Sequence, residues 1–365
     1  MRRIAITAVT LAALALPAAA SATNDKATEV DVMSRKVYLG ADLGPAIDAP
    51  DLNSAIDAAA VIYREVEATN FPERAVPLAK EINDAQPDLV GLQEVALWRE
   101  QIPSDGGSPP SGVGEPATTV KYDFLQLLMD ELDATGSKYR VVGVQEEFDA
   151  ELPVDLDGSD STGFLGGDLD ARLTMRDVIL ARKGVTTKGL KKGHFETRYE
   201  PVIGGAVTLP VDRGWLSTEA TVDGAKFRFV NTHLEAFGEP TIREAQAKEL
   251  VAKGGPAKSK KDVVLIGDFN SDDDSVKGDD RLAYAALTKA GFLERQAAAF
   301  ACCYPSMTDP SLKFDHQVDH VLVNSKKIGL AKKKSFVTGN DKGEMTPSGL
   351  WPSDHGGVFS ALLFP

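Results

Sequence analysis

Short polar motifs stand at the ends of apolar stretches in this sequence. Gln93-Glu94 closes one such stretch, Asn231-Thr232-His233 another, and Asp268 and Asn270 a third. Asp319-His320 lies inside an apolar run, and Ser353-Asp354-His355 precedes the last one. Any one of these alone reads as a turn. Together they are a chemical set. Glu94, Asp268 and Asn270 offer hard oxygen donors, which suit Mg²⁺ or Mn²⁺ rather than zinc. Of the 5 histidines in the chain, His233, His320 and His355 belong to these motifs. Hydrolysis of a metal-activated phosphate needs a base for the water and an acid for the leaving oxygen. Two imidazoles on opposite sides of phosphorus supply both.

The elements that must hold these residues alternate between strand and helix. The spacing predicts helices over 52–68, from Asn70 to before Pro87, and over 120–132, 242–252 and 282–290. Asn70 and Glu73 are spaced as a capping box, with Pro72 in the first turn. Strands are predicted over 29–33, 88–93, 139–147, 177–182, 215–222, 226–232, 263–267, 318–323 and 358–363. Asp223-Gly224 is a hairpin turn signal. Interspersed strands and helices imply a sheet covered by helices. In such folds neighbouring strand ends bring ligand-binding residues together. Residues 101–119 and 150–172 are Gly-rich and read as loop insertions. The acidic second loop is a solvated insertion or, alternatively, a calcium loop.

The ordered set Gln-Glu, Asn-Thr-His-Leu, Gly-Asp-Phe-Asn, Val-Asp-His and Ser-Asp-His resembles the endonuclease/exonuclease/phosphatase superfamily, whose members include deoxyribonuclease I. The resemblance covers about 30–364. It implies an α/β fold: a four-layer sandwich of two packed mixed β-sheets flanked by helices. It further implies that Glu94 is the principal metal carboxylate, that Asp268 orients or deprotonates the attacking water, and that Asn270 contacts phosphate. His355 resembles the general base and Asp319 the carboxylate that fixes its tautomer. His233 resembles the acid, with Asp177 as its candidate partner. Asn231 is a candidate phosphate contact, and Asp354 a candidate second metal ligand. His320 is expected to act indirectly, His194 and His316 to lie in surface loops. Arg176 and Arg213 could clamp phosphate but stay outside the expected set.

One position departs from the pattern. The first strand of this family ends in an Asn that helps hold metal and phosphate. Lys36 stands there instead, and no Asn occurs between residues 25 and 52. An ammonium about 4 Å from Mg²⁺ is repelled by about 8 kcal/mol at an effective dielectric of 20. Lys36 must therefore point away, bind substrate phosphate, lose its proton or weaken metal binding.

Composition bounds the function. The chain has 365 residues, a net charge of −14 and 43% apolar content, which excludes disordered and fibrous classes. The acidic balance disfavours broad non-specific nucleic-acid binding. The 2 cysteines, Cys302 and Cys303, are adjacent, so this is no disulfide scaffold. They are free or joined in a strained ring. Arg2-Arg3, a short apolar run and small residues to Ala22 read as a secretory signal peptide over 1–22. Residues 23–365 then form one family domain. The expected function is a secreted Mg²⁺-dependent phosphoesterase, a phosphodiesterase acting on nucleic acid, membrane lipid or a small organic phosphate. No protein partner is implied. The alternative is a family-fold binding protein weakened at Lys36.

Overall fold

In the computed structural model, which describes residues 27–109, 112–158, 167–273 and 280–365, successive strand residues point to opposite faces, and in the central strands both faces are apolar. Val30 and Val32 face one way and Met33 the other; Val264 and Ile266 oppose Val263 and Leu265. Strands apolar on both faces must be covered on both faces. Two mixed sheets meet this need by packing on each other and on helices.

The larger sheet runs Gly329–Leu330, Gly357–Phe364, Thr28–Lys36, Leu89–Gln93, Leu169–Arg182, Leu97–Gln101, Thr119–Asp123. Phe336–Thr338 also pairs with Gly357–Phe364, and Tyr139–Val154 with Leu169–Arg182. The smaller runs Leu293–Glu294, Asp319–Val323, Val263–Asp268, Ala225–His233, Gly214–Val222, Thr186–His194. The core between them contains Val32, Leu89, Phe229, Ile266 and Val358. Helices Leu52–Ala68, Phe71–Ala85 and Phe124–Ala134 cover the outer face of the larger sheet through Ile62, Leu78 and Leu128. Helices Pro240–Val251 and Leu282–Lys289 cover the smaller one through Leu250 and Leu287. The expected four-layer sandwich is the observed fold. The signal peptide expected over 1–22 lies outside the described residues.

Several expectations shift. Asn70 sits at φ +38° and its side chain caps no backbone amide; its amide group donates to Glu73 Oε2 at 3.2 Å, so the expected capping box does not form. The helix expected from Val120 begins at Phe124, because Thr119–Asp123 is a strand and Asp123 Oδ1 accepts from Leu125 N and Gln126 N. Residues expected in the second loop, 150–172, extend strands at its two ends instead, to Val154 and from Leu169. Beyond them, Asp155, Asp157 and Asp168 gather their carboxylates, partly spent on local backbone amides. The Asp223-Gly224 turn forms as expected, both residues at positive φ.

Candidate active site

Register alone builds the site. Lys36 lies opposite Gln93 in the larger sheet, one residue before Glu94. In the smaller sheet His233 lies opposite Asp268, and Asp268 opposite Asp319. Ser34 pairs with Val358, so the segment leading into the last strand delivers Asp354 and His355 beside Lys36. Glu94 (φ +58°) and Asn270 (φ +47°) follow the strand ends in left-handed conformations, the kind of backbone outlier that clusters at functional sites. Gly267 permits the close approach: a Cβ there would collide with the Thr232 carbonyl.

The expected residues largely converge. His355 Nδ1 donates to Asp319 Oδ2 at 2.7 Å and lies 3.9 Å from Asp268 Oδ2. His233 Nε2 lies 3.4 Å from the same Asp268 oxygen. Asn270 N donates to Asp268 Oδ1 at 2.9 Å, and its side-chain amide lies 3.2 Å from His233 Nε2. Asp268 Oδ2 is buried without a hydrogen bond, an acceptor aimed into the cluster. Glu94 accepts from Leu39 N with one oxygen and turns the other toward Lys36.

Lys36 answers the question its sequence position raised: it points inward. Its Nζ lies 3.0 Å from Asp354 Oδ2, 3.2 Å from His355 Nε2, 3.3 Å from Glu94 Oε1 and 4.0 Å from Asp268 Oδ2. Burial opposes its charge, but Asp354, Glu94 and Asp268 outweigh that and raise its pKa above the ordinary lysine value. Burial likewise opposes ionised Asp354, yet Lys36 and His355 hold it down at about 2. Burial, reinforced by Asp319, raises Asp268 to about 6 against His355 and Lys36. For His355, burial and Lys36 favour the neutral ring, and Asp319, Asp354 and Asp268 pull it up to about 9. Its Nε2 faces an ammonium, so once the ring is neutral the geometry fixes the tautomer: a proton on Nδ1, a lone pair on Nε2.

His233 differs from expectation. Its Nδ1 faces Arg213 Nη1 at 3.2 Å, not Asp177. Guanidinium only donates, so the proton of a neutral ring sits on Nε2. Burial, then Arg213 and Lys36, lower its pKa well below the ordinary histidine value. His233 is a neutral donor rather than an imidazolium acid. Asp177 is fully buried, and burial raises it well above the ordinary carboxylate value.

Other residues leave the cluster. Asn231 is buried between the sheets: its amide nitrogen donates to Leu92 O at 3.0 Å and Val178 O at 3.2 Å, and its oxygen accepts from Gln93 Nε2 at 2.7 Å. That amide has no capacity left for phosphate. Gly91 leaves room for it; a Cβ there would strike Asn231 Oδ1. Asn231→Ala should therefore cost about 2 kcal/mol in urea unfolding while the folded fraction keeps its turnover, because buried carbonyls lose their donors. His320 follows Asp319 on a strand and so points to the other face, between Phe269 and Tyr284, bonded to Glu294 and Ser271 O. Arg176 bonds Val95 O, Ala96 O and Asp123, fixing the chain just after Glu94. His194 is exposed but ends the strand Thr186–His194 rather than lying in a loop, and half-buried His316, outside any strand or helix, pairs with Asp272 at 2.9 Å. Cys302 and Cys303 are joined to each other, and Cys302 Sγ lies 3.2 Å from His355 Nε2.

A cleft of about 370 Å³ opens over the cluster. Lys36, Glu94, Asp354 and Arg213 form its charged floor, and Tyr38, Phe148, Phe237 and Tyr304 its wall. Sequence reasoning kept Arg213 outside the set and passed over the aromatics; Tyr38, Arg213, Phe237 and Tyr304 lie outside the strands, in segments carrying no strand-end signal of their own.

Two packed mixed sheets with an acid and imidazole cluster at one rim define the class of layered α/β sandwiches that contains phosphoesterases and nucleases. The chain belongs to the Endonuclease/Exonuclease/phosphatase family, whose sequence profile matches residues 65–355. Solved family structures share the fold. Those from Bacteroides vulgatus (16% identity, TM-score 0.50) and Leptotrichia buccalis (12%, 0.50) align over 93% and 92% of this chain and 100% of their own. One from Beutenbergia cavernae (19%, 0.50) aligns over 92% of this chain and 72% of its own. No curated protein matches the chain in sequence.

Acidic and imidazole groups that could bind a metal do gather here: Asp268, Asp319 and His355 offer ligand atoms within 4.8 Å of one another. The donor chemistry suits a hard divalent ion. The space does not. The Lys36 ammonium stands between Glu94 and Asp354, and two cations cannot share that position. A divalent ion does not fit the cluster while Lys36 remains in it.

Proposed function

We propose that this protein hydrolyses a phosphate ester, most simply a phosphodiester, and that it does so as an exported enzyme. The observation that carries the reading is the Asp319–His355 pair, with Asp268 beside it, directly behind Lys36, which with Arg213 lines the cleft. The cations would hold the phosphate oxygens and stabilise charge developing on them. Water attacks phosphorus, oriented by Asp268. The new P–O bond forms as the water proton passes to His355 Nε2. The ester P–O bond breaks with its electron pair on the leaving oxygen. That oxygen receives a hydrogen bond from His233 Nε2–H and is protonated by solvent. A neutral donor favours leaving groups that are already acidic. The Mg²⁺- or Mn²⁺-dependent form of this reading places the ion at Glu94 and Asp354, with Lys36 withdrawn. The export reading rests on the pattern of residues 1–22.

The test is turnover of bis(p-nitrophenyl) phosphate, plasmid DNA and sphingomyelin vesicles by the purified chain, with Asp268→Asn as control. Loss of turnover in that variant supports the reading. Tight binding of phosphate esters without turnover would instead support the weakened binding protein.

The pH profile has a definite sign. Asp268, raised to about 6, must ionise to orient water. His355, raised to about 9, must shed its proton before taking another. Both events are deprotonations, so kcat/KM should climb from acid pH toward about 9 as one coupled limb. A profile already falling at pH 8 would contradict these assignments.

A further inference from the structure

We propose that the Lys36 ammonium is the resident cation of this site and does the electrostatic work that a divalent ion would do there. The inference rests on the phosphoesterase reading and goes beyond it. Three observations carry it. Lys36 is the last residue of its strand, delivered to the centre of the carboxylates by the same register that delivers Glu94. Its Nζ has three hydrogens and, with His355 in the neutral form the reaction uses, three acceptors at 3.0, 3.2 and 3.3 Å, from Asp354, His355 and Glu94. It also lines the floor of the open cleft, so a ligand can reach it.

The charge arithmetic favours the lysine. Glu94, Asp354 and Asp268 surround one ammonium. A divalent ion entering beside it would meet that charge at about 4 Å, whereas a substrate phosphate brings the opposite charge. The acceptor most easily exchanged is the neutral one. A phosphate oxygen takes the hydrogen that Lys36 gives to His355 Nε2. The same exchange bares the Nε2 lone pair toward the attacking water, so binding and unmasking of the base are one event. An ammonium lacks a second charge and cannot hold a metal-bound hydroxide. The water must therefore be activated by His355 and Asp268 alone, which suits bonds with acidic leaving groups.

The experiment has two independent readouts. In the first, Mg²⁺ and Mn²⁺ are titrated calorimetrically into the purified chain and into Lys36→Asn, and each protein is melted with and without millimolar Mg²⁺. The wild type should bind neither ion and keep its melting temperature. Lys36→Asn, with its carboxylates released, should gain Mg²⁺ binding and melt several degrees higher with the ion than without it. In the second, bis(p-nitrophenyl) phosphate turnover is followed in EDTA and in Mg²⁺. The wild type should agree within about twofold, and Lys36→Met should lose about 10²-fold or more with no rescue by Mg²⁺. Millimolar Mg²⁺ binding by the wild type, or turnover abolished by EDTA, overturns the proposal. Absence of turnover under every condition would overturn the phosphoesterase reading instead. Calorimetry and melting would still decide whether Lys36 excludes the metal.

Discussion

His355→Ala should lower turnover of bis(p-nitrophenyl) phosphate by about 10³-fold, equivalent to about 4 kcal/mol of barrier. The two nitrogens of this imidazole have divided tasks. Nδ1 is anchored by Asp319 at 2.7 Å, and Nε2 faces the Lys36 ammonium at 3.2 Å. Alanine removes the proton acceptor and leaves Asp319 buried with no partner for Oδ2. Asp319→Asn tests the same device from behind. An amide NH₂ in that place would donate to Nδ1 and move the ring proton to Nε2, where it faces the Lys36 ammonium. That variant should lose about 10²- to 10³-fold, and combining it with His355→Ala should add little, since the two act as one unit. The measurement is steady-state kinetics with circular dichroism to establish folding. A loss under tenfold in folded His355→Ala would remove it from the base role and leave Asp268 alone.

Much of this site is legible in the sequence because its residues are strand-end residues. An apolar run of strand length followed at once by Glu, His or Asp can be placed without knowing the fold, and Glu94, His233, Asp268, Asp319, Asp354 and His355 do come together. The helix Leu52–Ala68 is equally legible, with Asp51 Oδ1 accepting from Ser54 N at its start. What could not be read is direction and long-range partnership. Asn231 and His233 look alike in sequence. Two residues apart on one strand, they share a face, and depth separates them: Asn231 lies further from the strand end, beneath the other sheet, where its amide is consumed by Leu92, Val178 and Gln93. Lys36 is similar: its position is visible, its inward turn is not, because the carboxylates that draw it in lie 58, 232 and 318 residues away. The strand Thr186–His194 is hidden for another reason. It is an exposed edge rich in lysine, with no apolar period to betray it.

Arg74→Ala should destabilise the protein by about 3–5 kcal/mol, the largest effect expected from a residue that touches no substrate. Arg74 is fully buried in the helix Phe71–Ala85. Its guanidinium donates to Thr69 O at 2.7 Å, Val37 O at 2.8 Å, Pro352 O at 3.0 Å and Tyr38 O at 3.2 Å. It also lies over the Phe71 ring, 5.0 Å from its centroid. Burial pulls its pKa down to about 10, so the charge is costly to hold and is sustained by those carbonyls. Alanine would leave several buried carbonyls without donors and a cavity besides. Arg74→Lys keeps the charge but cannot span a fork of carbonyls, so about half the loss should remain. The bonds run to the segment just after Lys36 and to Pro352, close before Asp354 and His355. Damage should therefore reach the site: urea unfolding should show the stability loss, and the residual folded protein should show a fall in kcat larger than any change in KM. If Arg74→Ala unfolds at the wild-type urea midpoint, the network does not hold these two segments together. The placement of Lys36 against His355 would then need another cause.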